Sequence, residues 1–193
     1  MSAYTINDEF KIEKIWTNIY PDSLGLFYSS ITDFLGFEVN EGEFKVMSLS
    51  SFGKPRYENE LKKIFNIDDL KIDIDYFEFH TNLHKSFSKK LSDMFGEPYL
   101  NINEESNFKK YADIACSAQS ILEQAMQNVI KKVIKMSGKT KIVLTGGVAL
   151  NCKMIHNLSK LDIFEELVVP PSPGDSGSAI GAANFAYLNQ TKN

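Results

Sequence analysis

A chain of 193 residues, 43% of them hydrophobic, can bury a real core and fits one domain or half of one. Its formal net charge of −4 and pI of about 5.4 argue against a nucleic-acid backbone as partner, which selects a basic excess or stripe. No apolar run approaches the length of a membrane span, and no charged-then-apolar leader opens the chain, so no membrane partner and a cytoplasmic location are expected.

Ala3–Ile6 and Phe10–Thr17 flank the turn residues Asn7 and Asp8 and predict an opening hairpin. Pro21, Asp22 and Ser23 supply a helix start, Leu24–Leu35 the helix and Gly36 its stop, with the aromatic residues of that helix expected in the core. Ile67–His80 predicts a second hairpin, from the alternating Leu70–Asp75 and then Tyr76–His80. His80 and His84 have a spacing that would put two imidazoles on one face of a helix. The strand-like alternation before them and the turn residues Thr81 and Asn82 speak against a metal there.

Lys85–Phe95 predicts a short amphipathic helix ended by Gly96 and Pro98. The longest element is expected over Asn107–Met136, where a continuous apolar stripe from Ile114 to Ile134 marks a core-facing helix stopped by Gly138. The pairs Lys62-Lys63 and Lys131-Lys132 fit solvated helix faces. Cys116 and Cys152 fall inside predicted helices and are expected to be small buried hydrophobes, not nucleophiles or ligands.

Residues 141–183 carry the strongest pattern. Lys141–Thr145 is a short β-branched run, followed by Gly146 and Gly147 and then by helical spacing toward Leu158. Glu166–Val169 begins a second such unit, continued by the Pro170–Gly177 turn and the small-residue helix Ser178–Ala183. Two strand–turn–helix units in series predict neighbouring strands whose carboxyl ends face one cleft. Glycine lets backbone approach a phosphate closely, and a helix start offers free N–H groups to an anion. Asn151 can reach over that cleft with a donor and an acceptor, and Asp175 sits in a turn between two glycines.

The string Thr145-Gly-Gly-Val-Ala-Leu-Asn151, with Pro173-Gly-Asp-Ser-Gly177 and Gly181-Ala-Ala183 after it, resembles the O-carbamoyltransferases. These enzymes tailor antibiotics and nodulation factors and are related to the tRNA threonylcarbamoyl-adenosine enzyme. Ser23–Phe37, Glu41–Met47 with Phe52-Gly53-Lys-Pro55, and Ala112–Gln119 are similar to segments of the same family, although Ser48-Leu-Ser-Ser51 stands where relatives carry Gly-Leu-Ala-Pro.

The resemblance implies an α/β chain with an actin-like, sugar-kinase (ribonuclease H-like) fold of ATPase type, mainly its second half. A preceding half-domain and a following carbamoyl-adenylate synthase-like domain are then expected to be absent from residues 1–193. The resemblance assigns nucleotide binding to Gly146, Gly147, Asn151 and Gly174, and also to Gly42, Glu43 and Lys45, where a helix begins beside the adenosine. Asp175 is implied as the metal ligand and catalytic residue.

The implied reaction is transfer of a carbamoyl group from carbamoyl-adenylate, made from carbamoyl phosphate and ATP, to a hydroxyl of a small molecule or sugar. A divalent metal, of the iron or of the magnesium and manganese class, is the implied cofactor. A complementary half-domain or a homo-oligomer is the expected protein partner, and the lone chain is expected to be inactive. Two alternatives stay open: a non-catalytic nucleotide-binding or assembly subunit of a split enzyme, and a sugar-kinase relative.

Overall fold

A computed structural model describes residues 1–9 and 11–190. The chain divides into two compact units, Met1–Ser137 and Gly138–Asn193. Both mix helices with small sheets, so the α/β class expected from the sequence is observed. Among the described residues the strands form three separate two-stranded sheets.

In the first unit, β1 (Ser2–Ile6) pairs antiparallel with β2 (Ile12–Thr17), with a bulge between Ala3 and Tyr4. The Asn7 side chain closes the turn by accepting from the N–H groups of Glu9 and Lys11. α1 (Leu24–Phe34) starts where Ser23 Oγ accepts from Leu26 N–H, and the chain leaves it through Gly36 at φ +82°. Leu24, Phe27, Tyr28, Ile31 and Phe34 follow one another at gaps of three and one and are all buried.

α2 (Glu43–Leu49) runs into a 3-10 turn over Ser50–Phe52, and α3 (Glu58–Ile64) follows. α4 (Lys89–Phe95) is capped by Ser88 and stopped by Gly96 at φ +86°. α5 (Glu105–Ser137), 33 residues long, is the spine of this unit and touches α1, α2 and α3. Its stripe is buried from Tyr111 to Ile130, while Val133 and Ile134 are half-buried. Phe34 gathers Phe87, Phe95 and Tyr111 at ring-centroid distances of 5.3, 6.0 and 6.3 Å. Each such ring, fully buried, contributes on the order of 2–3 kcal/mol.

The second hairpin lies elsewhere than the alternation predicts. β3 (Phe65–Asn66) and β4 (Lys71–Ile72) form it, and a 3-10 turn over Ile74–Tyr76 follows before Phe77 bridges to Phe87. Local hydrogen bonds explain the shift. Asn66 Oδ1 accepts from the N–H groups of Asp68 and Asp69, and Asp73 Oδ1 accepts from Asp75 N–H. Such side chains offer the backbone a turn in place of a ladder.

In the second unit, β5 (Lys141–Val143) and β6 (Glu166–Val168) are parallel neighbours in the register Ile142 opposite Leu167. A 3-10 turn over Gly147–Leu150 and α6 (Cys152–Ser159) connect them. Ala149, Met154 and Leu158 are buried there. α7 (Gly177–Gln190), an extension of the small-residue helix expected over Ser178–Ala183, carries no buried residue. Cys152 is exposed and Cys116 half-buried, so neither is the fully buried hydrophobe its helical position suggests; Cys152 opens α6, before that helix turns its apolar face inward. Among the described residues no helix is long and apolar enough to cross a membrane.

Candidate functional site

The parallel pairing of β5 and β6 sets the turns that follow them side by side. Leu144 N–H extends the ladder to Val168 O at 2.9 Å. One step on, Gly146 N–H donates to Pro173 O at 2.6 Å, and Thr145 Oγ1 donates to the same carbonyl at 2.9 Å. The glycine turn and the Pro173–Gly177 turn are therefore tied at one sheet edge, as the two-unit pattern predicts.

Gly146 has φ +102° and ψ +166°, a conformation open essentially to glycine. A Cβ at Gly146 or Gly147 would meet no atom within 4 Å, so both face open space and leave a ligand room to reach the backbone. Gly174 packs close to Leu150, where a Cβ would lie 3.7 Å from its Cδ1. Gly177 is needed for a different reason: a Cβ there would stand 2.2 Å from Ser172 O. The Asp175 backbone carbonyl accepts from Ser178 Oγ at 2.7 Å, which starts α7. Its carboxylate is exposed, and no hydrogen bond or ion pair engages it among the described residues.

Asn151 has a structural task. Its Oδ1 accepts from Met154 N–H at 2.9 Å and caps α6. The acceptor half of its amide is thus turned into its own helix, at the end of the glycine turn.

In the first unit, α2 begins at Glu43, as the sequence implies. Glu43 Oε1 accepts from Ser29 Oγ at 2.6 Å and from Asn40 N–H at 3.1 Å, so this carboxylate fastens the loop before α2 to α1. Gly42 is buried, and a Cβ there would lie 2.6 Å from Phe37 Cβ and 2.7 Å from Glu38 O. Lys45 is exposed, its ammonium 5.9 Å from the centroids of both Phe37 and Phe44.

His80 and His84 are exposed residues of a turn segment and not part of a helix. Among the described residues no group of three or more His, Cys, Asp or Glu side chains gathers to hold a metal ion.

Residues 1–184 match the family described as Carbamoyltransferase N-terminus. This chain belongs to that carbamoyltransferase family. Among relatives, an uncharacterised protein of Synechocystis sp. is 37% identical over 92% of this chain and 29% of its own length. Nodulation protein NolO of Bradyrhizobium diazoefficiens is 29% identical over 84% of this chain and 28% of its own. An uncharacterised protein of Methanocaldococcus jannaschii is 36% identical, again over 84% of this chain and 29% of its own. This chain thus spans less than a third of the length of these relatives.

One set of residues is invisible to apolar periodicity. Asp113 and Ser117 interrupt the stripe of α5, yet they are 6% and 0% exposed. Asp113 Oδ1 accepts from Lys54 N–H at 2.7 Å, and Ser117 Oγ accepts from Tyr57 N–H at 2.9 Å. The signal in the sequence is a polar pair four residues apart on the core-facing side of the helix, where Gln119 is buried as well.

Proposed function

We propose that this carbamoyltransferase chain carries part of the nucleotide site of an enzyme that transfers a carbamoyl group from carbamoyl-adenylate to a hydroxyl of a small molecule or sugar. The observation that carries the proposal is the Gly146–Pro173 hydrogen bond, which ties two strand-end turns together at one sheet edge. In α/β folds, ligands bind outside the carboxyl ends of such strands. The family implies carbamoyl phosphate and ATP as precursors and an actin-like ATPase framework, of which this chain would form mainly the second half.

In this scheme Gly146 and Gly147 present backbone to phosphate across open space, and Gly174 keeps the facing turn close. Asn151 orders the start of α6 behind the glycine turn. In the first unit, Gly42, Glu43 and Lys45, at the start of α2, are proposed from the family resemblance to take part in nucleotide binding. Asp175, exposed and unengaged, fits one ligand of a hard divalent cation. The other ligands of such a cation are proposed to come from a complementary half-domain or a second copy of the chain. When bound, such a cation would supply Lewis-acid polarisation of the carbamoyl oxygen. The chain by itself is therefore proposed to bind nucleotide without completing the transfer.

The test pairs two variants. Gly147→Val fills the open space over the turn and is expected to weaken binding of a non-hydrolysable ATP analogue at least tenfold in calorimetric titration. Asp175→Ala is expected to leave that binding and the thermal midpoint unchanged, but to abolish divalent-metal retention by the assembled enzyme. Full analogue affinity in Gly147→Val would remove the glycine turn from the site.

A further inference from the structure

The Pro170–Gly177 turn hangs from a single residue. From Val169 to Gln190, Pro173 alone is buried among the described residues. α7, which continues the turn, carries no buried residue and so does not seat it. Within itself the turn is braced. The Ser172 and Ser176 hydroxyls share a hydrogen bond at 2.6 Å, Gly177 N–H donates to Gly174 O at 3.0 Å, and Ser178 Oγ donates to Asp175 O at 2.7 Å. Backbone cross-linked in this way moves as one body, and where it stands depends on how Pro173 is held.

Pro173 is held through its carbonyl. Gly146 N–H reaches that oxygen at 2.6 Å and Thr145 Oγ1 at 2.9 Å, so both of its acceptor positions are taken. The two donors have different effects. One hydrogen bond fixes a distance but leaves the turn able to pivot about the donor–acceptor line. A second donor converging on the same oxygen removes that pivot, because hydrogen bonds weaken steeply as they bend. Thr145 is itself exposed, so water can serve its hydroxyl when the bond is broken, and the bond adds little to the stability of the fold. What the hydroxyl supplies is direction. A site held in its bound shape also avoids the ordering cost of binding.

We propose that Thr145 is a positioning residue of the nucleotide site: its hydroxyl fixes the Pro173–Gly177 turn in the orientation where Gly174 packs close to Leu150, and so sets the gap beside the glycine turn that receives the phosphates. The proposal rests on the nucleotide reading given above and adds to it a side chain which that reading does not use. Thr145 acts through the Pro173 carbonyl and makes no contact of its own with the ligand.

Two probes, AMP-PNP and adenosine, separate positioning from a general loosening of the unit, since only the first carries phosphates. Thr145→Val keeps the branched shape and removes the hydroxyl. Gly146 N–H still serves the Pro173 carbonyl in that variant, so the unit is expected to fold with its thermal midpoint nearly unchanged. Its AMP-PNP affinity should fall several-fold, up to about tenfold, which is the reach of one hydrogen bond, while adenosine affinity stays at the parent value. Thr145→Ser restores the hydroxyl and should recover the AMP-PNP affinity. Equal losses for the two probes, or a lowered thermal midpoint with their affinity ratio unmoved, would reduce Thr145 to a structural part and overturn the positioning role. Parent AMP-PNP affinity in Thr145→Val, with Gly147→Val still defective, overturns that role but spares the glycine turn. Failure of the unaltered chain to bind AMP-PNP overturns the nucleotide reading and this proposal with it.

Discussion

Gly146 donates its backbone N–H to the carbonyl of Pro173 at 2.6 Å, across 27 positions of sequence, and in doing so joins two turns that a one-dimensional reading leaves apart. The bond exists because β5 and β6 are parallel neighbours and both turns leave the sheet in the same direction. Its donor is held at φ +102° and ψ +166°. Gly146→Ala should therefore cost about 1–3 kcal/mol from backbone strain alone, since the added Cβ meets nothing. Urea unfolding of the two proteins checks this, and an unchanged midpoint would mean the turn relaxes at no cost.

Asn151 separates structure from binding. Its Oδ1 caps α6 through Met154 N–H, so Asn151→Ala should destabilise the second unit by about 1 kcal/mol whatever the ligand does. Asn151→Asp keeps the capping oxygen and removes the amide donor. It is expected to keep the α6 cap and to lose nucleotide affinity. Equal affinity for Asn151→Asp and the parent would confine Asn151 to the cap.

Gly53 has no room for any side chain. Its substitution by Ala places a methyl against backbone that cannot give way, 1.9 Å from Ala112 O. The segment Gly53–Tyr57 must lift from α5, breaking the Lys54 and Tyr57 hydrogen bonds, and a loss of about 3 kcal/mol or more is expected. Thermal unfolding measures it. A loss under half of that would show the segment is held more loosely than its contacts indicate.

Tyr99 sets an alkaline limit. Partial burial and the neighbouring Asp33 carboxylate, which accepts its hydroxyl at 3.0 Å, push the Tyr99 pKa up to about 12 from 10.0. A raised folded-state pKa contributes stability that is complete below the unfolded value and disappears as pH climbs through the folded one. That contribution should hold below pH 10.0 and fade toward pH 12. Tyr99→Phe should flatten this part of the stability–pH curve, and tyrosinate absorbance should lose one late-titrating ring. Tyr111, which burial also raises, remains to titrate late in the variant.

Local chemistry was legible wherever one residue decides one event. Ser23 caps α1, Gly36 and Gly96 stop helices at positive φ, and the stripe on α5 faces the core, because caps, glycine dihedrals and 3.6-residue periodicity act within a turn or two of the chain. The Gly146–Asn151 and Pro173–Gly177 motifs were equally legible, and with them the family. Alternation over Leu70–Asp75 misled because Asn66 and Asp73 bend the backbone through their own side chains, a competition that hydrophobic pattern does not register.

Tertiary structure decided what depends on contacts between residues far apart in the chain. Glu43 meets Ser29 and Asn40 instead of standing free, Asp113 and Ser117 hold the backbone of Lys54 and Tyr57 some 60 positions away, and Pro173 receives Gly146. A buried polar side chain has to find its partner wherever packing brings one, because leaving it unpaired costs on the order of 1–3 kcal/mol. The sequence determined which residues could make such bonds; only the packing of α5 against the loops, and of β6 beside β5, determined which of them did.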